Sequence, residues 1–193
     1  MPRRSIPNLQ ETIITETIKI GAKDGANKVS TIKLAKKCGI TEPAIYGRFK
    51  KKFDLLFAAY IHINEQIDML LREIDWENIS TLKDVKDLWY KLFNYAISNP
   101  EYTNYFQSFR RTTNHDSSIL NEHRELYVKY AKIIMAINLN KKQISDIEYL
   151  KIWVNWVNVS LKLAQMISDG ILPLDERTKD LLFKLIFGEN LEM

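Results

Sequence analysis

A single cysteine, Cys38, stands among the 193 residues. No internal disulfide is therefore possible, which fits a reducing compartment. Free cysteine is among the most buried residue types, so Cys38 is expected as a small core hydrophobe rather than a redox sensor. Glycine and proline are scarce, at six and five. Between Gly47 and Gly170 there is no glycine, and Pro100 is the sole proline. So long a stretch without breakers predicts an all-α protein, and no alternating run rich in valine, isoleucine and threonine makes a convincing strand. No apolar run reaches the length of a membrane span. Met1 to Asn8 carries Arg3 and Arg4 but lacks the apolar segment of a signal peptide, so the expected location is the cytoplasm. Of the three histidines, His62 shares a helix face with Glu65, and His115 shares a loop with Asp116. Neither pair supplies the three or four ligands that zinc requires. With no phosphate-cradling glycine loop and no nucleophile constellation, the chain is expected to be no enzyme and to need no metal or cofactor.

What is present is positive charge in one place. The net charge is +4. Residues 1–56 carry 12 Lys and Arg against 5 Asp and Glu, an excess of +7, whereas residues 57–193 carry 16 against 19, a balance of −3. Clustered cations neutralise phosphates and release counterions, so the N-terminal segment has the charge that a nucleic-acid-binding domain needs. Solubility alone would also account for the asymmetry.

Inside that segment, residues 30–56 read STIKLAKKCGITEPAIYGRFKKKFDLL. A first short helix is predicted over Thr31 to Cys38, with Ile32, Leu34 and Ala35 as its apolar positions. Ser30 or Thr31 offers a capping hydroxyl, and Gly39 supplies the left-handed end. Thr41 is expected to cap a second helix whose first turn holds Glu42 and Pro43 and which continues through Ala44, Ile45, Tyr46, Gly47, Arg48 and Phe49. Lys50, Lys51 and Lys52 follow. Helix, glycine-containing turn and helix make a helix-turn-helix pattern. A second helix of roughly nine residues, about 13 Å long, suits a major groove. An ordinary helical hairpin with a solvated lysine run fits the spacing as well.

Ala35, Gly39, Thr41, Tyr46, Phe49, Lys52, Leu55 and Leu56 together resemble the N-terminal domain of TetR-type transcriptional regulators. That pattern is Ala-x-x-x-Gly, a hydroxyl cap, Tyr-x-x-Phe, a lysine three residues on, and a leucine-rich long helix. Arg48 stands where that family often has histidine, and Glu42 and Pro43 stand where lysine and glycine are common. The resemblance implies a homodimeric DNA-binding regulator, a repressor in the main reading, with a double-stranded operator and a small-molecule effector. It also implies that Tyr46 and Lys52 touch the DNA backbone, because a phenol and an ammonium at the two ends of a short helix can grip phosphates on either side of a groove. Thr31 and Thr41 would cap helices whose N–H groups also face phosphates. Arg48, Lys50 and Lys51 add charge. Pro43 belongs to the same DNA-facing set, in which Ala44 would meet a thymine methyl and Glu42 a cytosine amino group.

Around this motif the chain divides into residues 1–52, a three-helix DNA-binding domain, and residues 53–193, a helical effector-binding and dimerisation domain. A first helix from Asn8, as cap, to Asp24 covers the back of the motif. Ahead of it, Arg3 and Arg4 form either a disordered tail or an arm for phosphates and the minor groove. One long helix from Lys51 to Ile74 is expected to run from the first domain into the second, with Phe53, Leu56, Phe57, Tyr60 and Ile63 facing a core. Thr81 and Asp84 form a capping box that opens a helix to about Ser98. Further helices follow over Pro100–Arg111 and Ile119–Asn138, from a second box at Ser145 and Glu148 to Ser168, and over Asp175–Phe187. The last two are apolar around most of their circumference, so one side needs a partner, and they are expected to pair with their copies across a two-fold axis. Trp89, Phe93, Phe106, Phe109, Tyr127, Trp153 and Trp156 are candidates to line the effector pocket that the resemblance implies. In the alternative reading the C-terminal domain docks a protein partner instead.

Overall fold

The computed structural model describes residues 8–75, 78–112 and 157–187. Arg3 and Arg4, tail or arm, the helix over Ile119–Asn138, the Ser145 capping box and the pocket candidates Tyr127, Trp153 and Trp156 lie outside them. The described residues form eight α-helices, one 3₁₀ turn and no strand, the all-α class expected. They are α1 (Leu9–Asp24), a 3₁₀ turn (Ala26–Lys28), α2 (Thr31–Cys38), α3 (Glu42–Tyr46), α4 (Lys52–Arg72), α5 (Leu82–Ser98), α6 (Pro100–Thr112), α7 (Val159–Ser168) and α8 (Glu176–Phe187).

Two compact units divide the chain, and by compactness the first runs further than residue 52. It takes in α1 to α4 as far as Arg72, together with α6 from Glu101. Its core holds Ile13 and Ile18 of α1, Leu34 of α2, Ile45 of α3 and Leu55 and Ile63 of α4. The long helix is shorter than expected, 21 residues and about 31 Å at 1.5 Å per residue, and it lies whole within this unit. The reason is that α6 joins the same core. Tyr105 is fully buried and donates its phenol to the Leu56 carbonyl at 2.8 Å. The Ala26 N–H donates to the Ser108 hydroxyl at 2.8 Å. Tyr60 stacks on Phe106 and Phe109, with ring centroids 5.2 and 4.9 Å apart. Gly21 makes this docking possible, because a Cβ there would stand 2.5 Å from the Tyr105 ring.

Some local expectations are corrected. Asn8 makes no side-chain cap; it takes a left-handed φ of 58°, and its amide donates to the Glu11 carboxylate instead. Phe53 is exposed rather than core, because the buried face of α4 runs through Leu55, Leu56, Ala59, Tyr60 and Ile63.

The second unit contains α5, α7 and α8. The Thr81–Asp84 capping box forms as expected, with the Thr81 N–H donating to the Asp84 carboxylate at 2.8 Å and the Asp84 N–H to the Thr81 hydroxyl at 3.2 Å. Its core joins Trp89, Phe93 and Ala96 of α5 to Ala164 and Ile167 of α7 and to Leu182 and Phe183 of α8. The Trp89 indole donates to the Ser160 hydroxyl at 2.9 Å. Asp180 of α8 accepts from the Tyr90 phenol and pairs with Lys86 at 2.7 Å. Both contacts hold its carboxyl below the usual range, that with Lys86 most.

The described candidates for the pocket lining fall in both units. Trp89 and Phe93 are packed in the second unit, whereas Phe106 and Phe109 belong to the core of the first. Asn99 closes α5 on the Tyr95 carbonyl at 3.0 Å, and Pro100 starts the next helix at once.

Candidate nucleic-acid interface

The helix-turn-helix forms, but α3 is five residues, Glu42–Tyr46, rather than the roughly nine expected, because the chain leaves regular helix at Gly47. Ser30 caps α2 by accepting from the Lys33 N–H. Gly39, at φ 66°, ends it, and the Ile40 N–H returns to the Ala35 carbonyl at 3.0 Å. This reversal satisfies the end of α2 and aims α3 away from it. Buried Leu34, Ala35, Cys38, Ile45 and Phe49 fix the angle between the two helices. Burial pushes the Cys38 thiol up, consistent with a core role.

Thr41 is exposed and makes no side-chain cap. Thr31 is buried, and its hydroxyl donates to the Glu42 carboxylate. This contact pins the start of α2 to the start of α3 and engages both groups, Thr31 buried and Glu42 half-buried. Arg48 is exposed but folds back, its Nη1 donating to the Ala44 carbonyl at 3.2 Å. Lys52 is half-buried, and its ammonium donates to the Asn27 carbonyl at 2.9 Å. Tyr46 is 40% exposed, and Lys50 and Lys51 are exposed. Pro43 is exposed and Ala44 half-buried.

The positive charge of the motif is carried on α2 and on the segment after α3. Lys33, Lys36 and Lys37 project from α2. Lys37 lies 3.6 Å from Glu16, a loose and exposed pair of the kind worth little to stability. Arg48, Lys50 and Lys51 follow α3. Asp54 accepts from the Lys51 N–H at 3.0 Å and closes the start of α4, which places the lysine run on a fixed turn.

Two features escaped the reading of residue types. Ile32, expected as an apolar position of α2, is 58% exposed. A helical wheel anchored on Thr31, Leu34, Ala35 and Cys38 would have placed it outside. The Asn27 carbonyl anchors Lys52, and a backbone acceptor carries no signal in the residue type.

Residues 13–59 match the family model for bacterial regulatory proteins of the tetR family. Over 152 residues the chain is 26% identical to the nucleoid occlusion factor SlmA of Haemophilus ducreyi, covering 78% of this chain and 71% of that one. It is 29% identical over 144 residues to the protein of the same name from Aliivibrio fischeri, covering 74% and 68%. Its fold is that of a TetR family transcription regulator from Marinobacter aquaeolei, with a TM-score of 0.74 at 19% identity over 93% of each chain. Among the described residues, no helix is long and apolar enough to cross a membrane.

Proposed function

We propose that the chain is a TetR-type DNA-binding transcriptional regulator, acting as a cytoplasmic homodimeric repressor released from its operator by a small, partly apolar molecule. The observation that carries this reading is the exposed α3, with Tyr46 on one flank and Lys50 and Lys51 at its end. Two such heads would enter successive major grooves of a near-palindromic site, with centres about 34–36 Å apart.

Dimerisation through the last two helices is supported by what α8 leaves outside. Leu182 and Phe183 turn into the core, while Leu181 is exposed and Leu185 is 70% exposed on the same helix. Large apolar side chains on a helix that already fills a core mark a surface for a second partner. A homodimer makes such a surface self-complementary.

Coupling between effector and DNA would run through α6. It follows α5 directly and wedges Tyr105 between α1 and α4 at Gly21 and Leu56. An effector that binds better when α6 is displaced shifts the heads by the difference in its two affinities, about 1.4 kcal/mol for each factor of ten.

In a second reading the C-terminal unit docks a protein partner. The same exposed leucines favour it. The test is a mobility shift with fragments selected from genomic DNA, over a range of salt. Binding should weaken as salt rises, with a log–log slope of about 0.9 per phosphate contacted. Affinity that ignores salt, or binding to no fragment, refutes the repressor reading.

A further inference from the structure

We propose that α3 discriminates sequence through the 5-methyl groups of thymine rather than through side-chain hydrogen bonds to base edges. The proposal rests on the DNA-binding reading above and names what is read.

Successive residues of a helix are turned by about 100°. Ile45 and Phe49 are buried and define the inward side of α3 and the turn that continues it. The Phe49 N–H donates to the Ile45 carbonyl at 2.9 Å, so the helical path holds to that point. Directly opposite come Gly47 and Pro43, both exposed, with the half-buried Ala44 beside them. None of the three has a polar atom in its side chain. The hydrogen-bonding side chains near this ridge are engaged or off to its sides. Glu42 accepts from Thr31, and Arg48 is folded onto the Ala44 carbonyl. Thr41 precedes the helix in extended backbone, and Tyr46 lies on the flank of the ridge.

Gly47 carries the argument further. Its φ of −66° and ψ of −19° are right-handed, and a Cβ there would meet only the Pro43 and Ala44 carbonyls at 3.5 and 3.7 Å, ordinary contact distances. The head itself has no steric use for glycine, which is a poorer helix residue than alanine. A bare ridge instead lets the helix approach the floor of a groove closely. The lysines around it say what that groove is: Lys36, Lys50 and Lys51 are exposed and match the phosphates of a duplex. In the major groove, thymine alone of the four bases presents an apolar group, its methyl.

Uracil retains every hydrogen-bonding group of thymine and lacks only that methyl. A pool of duplexes with a random centre is enriched on the full-length protein, then copied with either thymine or uracil nucleotides. Each buried methyl is worth about a fourfold factor in affinity, so one per half-site gives roughly a sixteenfold weaker uracil copy. The unselected pool should bind equally in both forms. Gly47→Ala should melt higher than wild type yet bind the enriched thymine pool more weakly. Enriched copies that bind alike, while both still weaken with salt, overturn methyl readout and leave the DNA-binding reading intact. Binding to neither pool at any salt overturns both. A Gly47→Ala protein that melts higher with undiminished affinity refutes the bare-ridge argument.

Discussion

Replacing Gly21 by alanine should destabilise the first unit, against the usual sign for that change. Inside a helix, glycine to alanine normally gains about 1 kcal/mol. Here the added Cβ would stand 2.5 Å from Cε2 and 2.6 Å from Cδ2 of Tyr105, and 3.3 Å from the Ala26 Cα. Ordinary carbon contacts are about 3.5–4.0 Å, so the overlap is about 1 Å. The ring cannot swing aside freely, because it is fully buried and its hydroxyl is tied to Leu56. Overpacking of this kind costs about 1–3 kcal/mol, and losing the phenol bond would add about 1 kcal/mol. The expected net loss is about 1–3 kcal/mol. Urea unfolding followed by far-UV ellipticity measures it. All four tryptophans, at positions 76, 89, 153 and 156, fall outside the first unit, so their fluorescence should report a transition that moves less. Tyr105→Leu in the alanine background should recover part of the loss, giving a coupling above about 0.5 kcal/mol. An alanine variant as stable as the wild type, or more so, would show that α6 does not hold Tyr105 in that notch.

Three further outcomes are expected. Changing Leu181 and Leu185 together to glutamate should yield a folded monomer by sedimentation, because both side chains are exposed and contribute little to the core; an unchanged dimer would move the interface elsewhere. Lys52→Met should lower the stability of the first unit by about 1 kcal/mol, since it leaves the Asn27 carbonyl without its ammonium donor, as a melting curve will show. Acid should loosen the second unit in a defined window. Asp84 is held low first by the Thr81 hydroxyl, Asp175 by the Thr178 N–H, and Asp180 by Lys86. Lowered carboxyls stabilise fully above the ordinary pKa of about 3.9 and lose that contribution as pH falls through their own values. Tryptophan fluorescence should therefore change below about pH 4, and Thr81→Ala should shrink that change. A flat signal down to pH 2 would refute it.

Much of the motif can be read from residue types because its determinants are local. Gly39 is the left-handed stop after α2, and Thr81 with Asp84 is a reciprocal cap three residues wide. Each needs only its near neighbours. Periodicity shows that a face is apolar and not which core it enters: Trp89 and Phe93 pack in the second unit, Phe106 and Phe109 in the first. Thr31 and Thr41 are both expected as caps from residue type, but Ser30 caps α2, the Thr31 hydroxyl goes to Glu42, and Thr41 makes no side-chain cap.

The amino-acid order by itself determined that the described segments are helical, several of their ends, the basic N-terminal segment and the Tyr46-x-x-Phe49 signature, because spacing, capping and charge act over a few residues. Only the tertiary structure decided that α6 completes the first unit, that Lys52 is tied to Asn27, and that the outward ridge of α3 is bare. Those facts rest on contacts between residues far apart in the chain, or on which side of a short helix the core claims. A one-dimensional pattern does not contain the distance between Tyr105 and Gly21.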